Sequence, residues 1–142
     1  MATPHSSYIV YLILYLSPIQ NHHAIFVGIQ PGARGQLCHV VGSMQQGMRF
    51  EARESGWPLT GVTCEWMKPL GRVSQDKFAE VEGVCRTVPP PAKQFEKNKL
   101  LVPKDQLRHC QHWTEEAIAA LKAGQVLEPL GPDDSTDVIR RH

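Results

Sequence analysis

The sequence has almost no excess charge: 15 basic residues stand against 14 acidic ones, a formal net charge of +1. Such a chain has no strong field to steer it toward nucleic acid or anionic lipid, so neither partner is expected. It also lacks any CxxC pair. Its cysteines, Cys38, Cys64, Cys85 and Cys110, are spaced widely and irregularly. That spacing excludes a compact disulfide framework and points to a reduced, cytoplasmic setting. No apolar run approaches the roughly 20 residues a membrane-spanning helix needs. The longest, Tyr8 to Leu16, is nine residues, and Met1 to Ser7 before it holds no Lys or Arg, so no secretory leader is expected.

What remains describes a folded domain. Apolar residues make up 42% and charged residues 20% of 142 positions, both near globular averages. One domain, 1–142, is expected, with its core at about 8–126 and a polar, proline-broken flexible tail at 129–142. Tyrosine and β-branched residues in Tyr8–Leu16 predict a buried central strand. Ser17 to Asn21 carries turn chemistry, and His22–Gly28 reads as a second strand entered through two histidines. A turn at Pro31–Gly35 leads to a third strand, Gln36–Gly42, and predicts a hairpin with the second that joins His22 and His39 if the register allows. Met48–Glu54 alternates apolar or small residues with charged ones, as a half-exposed strand does, and Gly61–Met67 is a weaker candidate.

The period then changes. Ser74 can cap a short helix through Phe78, Val81 and Val84 or Cys85, ended by Pro89–Pro91. Residues 89–99 read as an extended polar connection over the surface. After Pro103, Leu107, Cys110, Trp113 or Thr114, Ala117, Ile118 and Leu121 recur at three- and four-residue steps, the best helical pattern present, with an N-cap expected at Asp105 and a C-cap at Gly124. This order predicts an α+β fold in which an antiparallel sheet is packed by helices.

Periodicity alone makes Cys110 a small hydrophobe on an inner helix face. Near a helix N-terminus and an imidazole, however, a thiol pKa falls toward the catalytic range. Three stretches bear on the choice: Asn21-His-His-Ala-Ile-Phe26, Leu37-Cys-His-Val40 and Leu107-Arg-His-Cys-Gln-His-Trp113. Together they resemble the lecithin-retinol acyltransferase branch of the NlpC-type papain-like superfamily, in which a histidine opens a strand, a second histidine or polar residue follows, and a cysteine opens a helix. Small fungal proteins with Ala-His-Trp-Ser-Leu, Ile-His-Val and Asn-Cys-Gln motifs are a closer resemblance. His109 and Gln111 stand where that branch usually has Asn and Glu.

The resemblance implies a single domain of permuted papain-like fold and a thiol hydrolase or acyltransferase with Cys110 as nucleophile, His22 as base and His39 as the group orienting it. It implies a small-molecule or peptide amide, ester or thioester as substrate, with no cofactor and no metal. His23, Gln111, Trp57 and Trp66 could contact substrate, although each also has an ordinary packing or surface reading. A zinc site would gather His22, His23, Cys38, His39, His109 and Cys110, but these lack close paired spacing. Two other functions fit the same residues: an isomerase or cyclase of natural-product biosynthesis using His22 and Cys110 as acid and base, and a non-catalytic binding domain.

Overall fold

In the computed structural model, residues 7–17 and 21–140 are described. Five long strands, β1 (Ser7–Tyr15), β2 (His22–Gln30), β3 (Arg34–Ser43), β4 (Gly47–Gly56) and β5 (Cys64–Ser74), precede helix α1 (Phe78–Thr87). Then come a two-residue hairpin, β6 (Phe95–Glu96) and β7 (Lys99–Leu100), helix α2 (Cys110–Ala123) and a short strand β8 (Ile139–Arg140). The main sheet runs β4-β3-β2-β1-β5-β8, and every pairing is antiparallel. The architecture is α+β, with β1 inside the sheet as its apolar run predicts.

Alternation along the strands gives the sheet two apolar faces. On one, Val10, Ile25, Val27, Cys38 and Val40 pack with Val81, Cys85, Trp113, Ala117 and Leu121 of the helices. On the other, Tyr11, Ile13, Ala24, Phe26, Leu37 and Met67 form a second cluster with Trp57 and Leu59 over it. Burying a Leu, Ile or Phe of this kind contributes about 1.5–3 kcal/mol, so these faces fix the register. A slip by one residue would exchange them. Trp113 is wholly buried, and its indole N–H donates to the Val88 carbonyl at 3.0 Å, tying α2 to the end of α1.

Several boundaries differ from the sequence reading. The fifth strand begins at Cys64 but runs on to Ser74, with a register shift beside Pro69 where β1 passes from Val10 to Tyr11. That irregularity is where a strand tolerates a proline. Ser74 makes no side-chain cap, and a 3-10 turn over Gln75–Lys77 leads into α1. Residues 89–99 do not only skim the surface, because Gln94 is buried. The predicted turn after β1 falls largely on residues 18–20, outside the described residues.

The polar tail makes specific contacts with the sheet. Over its described part, 129–140, Asp134 accepts two hydrogen bonds from Arg72, 2.7 Å from Nε and 2.6 Å from Nη2, and β8 pairs with Trp66 and Met67. Just before it, Glu128 exchanges backbone hydrogen bonds of 2.8 Å with Arg72. Gly71 permits this approach, since a Cβ there would lie 2.2 Å from the Glu128 carbonyl oxygen. Among the described residues no helix is long and apolar enough to cross a membrane.

Candidate functional site

Helix α2 does not start where its periodicity alone suggests. Asp105 lies in a separate 3-10 turn, Lys104–Gln106, and Leu107 to His109 follow without helix. His109, with extended backbone, is the N-cap, and its N–H donates to Nδ1 of His112 at 3.1 Å. Cys110 is therefore the first helical residue rather than one and a half turns inside. Here the partial positive end of the helix is strongest.

The ladder between β2 and β3 ends at Ile25 and Cys38. Beyond it the β2 edge at Asn21 and His23 no longer pairs with β3, and Cys110 sits against it. The thiol donates to the Asn21 carbonyl at 3.8 Å. Backbone N–H groups of His23, Cys110 and Gln111 favour the thiolate, but burial outweighs them and pushes the Cys110 pKa up. The Cys110 pKa is thus raised rather than lowered, contrary to the expectation from a helix N-terminus and a nearby imidazole.

The histidines meet on the same end of the sheet. Extending the register by one sets His39 across from Ala24, whose face His22 shares. Nε2 of His22 lies 2.9 Å from Nδ1 of His39. Nε2 of His39 in turn lies 2.8 Å from Oε1 of Glu51, its direct cross-strand partner on β4. Arg53 Nε stands 3.3 Å from the same oxygen. The bond from His39 holds the Glu51 carboxyl below its ordinary pKa, so it is ionised and can only accept. For a His39 ring that carries one proton, the network sets the positions: His39 donates from Nε2 to Glu51, His22 donates from Nε2 to His39, and Nδ1 of His22 keeps its lone pair. Burial, then the neighbouring His39 and His23, lower the His22 pKa to about 4.

His22 and Cys110 both line a cavity of about 320 Å³, together with Asn21, Gly42, Met44 and Met48. None of the described lining residues is charged. Gly42 closes its β3–β4 side at φ +121°, where a Cβ would also come within 2.6 Å of the Gly47 carbonyl oxygen. That position suits only glycine.

The other expected contacts divide. Gln111 reaches toward the Asn21 carbonyl at 3.5 Å. The His23 ring lies 6.1 Å from that of Trp66, on the sheet face opposite His22, and neither lines the cavity. Trp57 is remote from it, packed edge-on against Tyr11 and Phe26. Cys38, Cys64 and Cys85 are core residues of 1% exposure or less. Cys110 is the cysteine at the cavity, although its own exposure is only 4%. Among the described residues no group of three or more His, Cys, Asp or Glu side chains could hold a metal ion. Glu51 was not among the expected site residues. Its one signal was its place in the alternating β4 segment, legible only once the register with His39 is known.

No curated protein and no solved structure matches the chain. Residues 10–128 match the profile of a family of unknown function, DUF6540. That stretch takes in both histidines, Glu51 and Cys110, and the chain belongs to this family.

Proposed function

We propose that the protein is a cysteine-dependent acyl-transfer enzyme, a hydrolase or acyltransferase of the lecithin-retinol acyltransferase and NlpC type with a permuted papain-like fold. The observation that carries the reading is the Glu51–His39–His22 hydrogen-bonded chain, which ends at the cavity that Cys110 lines. A carboxylate and a second ring that orient an imidazole, with a thiol lining the same cavity, are the parts nucleophilic catalysis needs.

The step runs from neutral partners. Nδ1 of His22 takes the Cys110 proton as Sγ attacks the substrate carbonyl, and the resulting imidazolium passes its proton to the departing amine, alcohol or thiol. Water or an acceptor amine, deprotonated by the same nitrogen, then releases the acyl group from sulfur. Main-chain N–H groups at the start of α2 stabilise the negative charge that develops, each contact of this sort being worth about 3 kcal/mol of barrier. An uncharged cavity favours a small neutral amide, ester or thioester.

A second reading has specific support in the protonated resting thiol: Cys110 as acid and His22 as base could isomerise or cyclise a substrate with no covalent intermediate. Mass spectrometry after incubation with p-nitrophenyl acetate separates the two. Acyl-transfer chemistry predicts one acetyl group on Cys110, absent from Cys110→Ala and slow to form in His22→Ala. Acetylation spread over other residues, or none at all, would contradict it.

A further inference from the structure

We infer that Gln94 is a positioning residue that joins the cavity wall to the backbone entering Cys110. The inference rests on the reading of Cys110 as the nucleophile. Gln94 lies in the connection between α1 and the β6–β7 hairpin, a polar stretch by composition, yet it is only 4% exposed. All four of its polar groups are engaged. Its side chain grips one residue twice: Nε2 donates to the Arg108 carbonyl and Oε1 accepts from the Arg108 N–H, each at 2.6 Å. Its main chain faces two other segments, with N–H donating to the Met44 carbonyl at 2.7 Å and C=O accepting from Leu101 N–H at 2.8 Å.

The two ends of this arrangement have different duties. Met44 lines the cavity on the β3–β4 turn, and Arg108 stands two residues before Cys110. Leu107 N–H reaches back to the Lys104 carbonyl and the His109 carbonyl accepts from His112 and Trp113, so between them it is the double grip of Gln94 on Arg108 that fixes the main chain where α2 begins. It thereby sets where the N–H groups of Cys110 and Gln111 point relative to the sulfur. A buried amide with every group paired is costly to disturb and specifies one geometry. A packing role alone would require only bulk at this position.

The test is the rate of Cys110 alkylation by iodoacetamide as a function of pH, followed by peptide mass spectrometry, in the full chain and in Gln94→Ala. Release of Arg108 should misplace the N–H groups at the sulfur, so the inflection should move to higher pH and the rate below it should fall about tenfold, the scale of one lost hydrogen bond to a charged group. Gln94→Glu, which keeps size and acceptor but loses the donor, should shift the profile in the same direction, and it serves where the alanine variant does not fold. In the unaltered protein, the Arg108 amide should resist hydrogen exchange. Variant profiles that superimpose on a reactive wild type, or an unprotected Arg108 amide, would overturn the assignment while leaving the nucleophile reading intact. A wild-type Cys110 inert to the reagent would overturn both.

Discussion

His39 stands directly across the sheet from Glu51, and the 2.8 Å contact between its Nε2 and Oε1 decides which nitrogen of His22 is free. Glu51→Lys replaces the acceptor with a group that can only donate to His39. Both rings would then exchange tautomers, and the proton would sit on Nδ1 of His22, removing its lone pair. Cys110 alkylation at neutral pH should fall by about 100-fold, the lower part of the range for loss of a general base. The melting temperature should hardly move, since Glu51 is a third exposed. Undiminished labelling would show that the relay does not govern the thiol.

The His22 pKa makes stability depend on pH. Its folded value is about 4 against an ordinary 6.5, so between those values the unfolded chain binds a proton that the native ring refuses. Stability therefore rises with pH across this window and is diminished below it. The contribution is about 2 kcal/mol once screening of a half-buried ring is allowed for. Urea unfolding of wild type and His22→Gln at about pH 7 and pH 4 checks this: the wild type should lose more stability on acidification, and parallel losses would refute it.

Asp134 should act in the same sense at lower pH. The Arg72 bond lowers its pKa to about 2, so its contribution is complete above the ordinary carboxylate range and is lost as pH falls through the folded value. Asp134→Ala should cost about 1–3 kcal/mol, the range for a charged hydrogen-bonded partner left unpaired. It should also loosen residues 129–140, which hydrogen exchange would register as faster amides around Ile139.

How much of this was legible beforehand varied with the kind of signal. Strands β1 to β4 and the inner face of α2 follow from periodicity, because burial on one side repeats at a fixed step. Strand β5 was half hidden, since Pro69 and Gly71 break a strand pattern and are accommodated by the register shift with β1 and the close approach of Glu128. The start of α2 was misplaced because Asp105 is a favoured cap and histidine is not, whereas His112 completes the cap at His109. The neighbourhood of His22 and His39 required only a hairpin. Glu51 required its register, and Gln94 required knowledge of what folds over a stretch that looks solvated. Trp57 shows the converse, a residue suited to a cleft by type and used for packing.

The most direct measurement is the second-order rate of iodoacetamide labelling at each of the four cysteines near neutral pH, in wild type and in His22→Ala. A nucleophile served by His22 predicts that Cys110 reacts far faster than Cys38, Cys64 and Cys85, and that His22→Ala slows it by about 100-fold or more while the other three are unchanged. Comparable rates at all four cysteines, or a Cys110 indifferent to the loss of His22, would contradict the account.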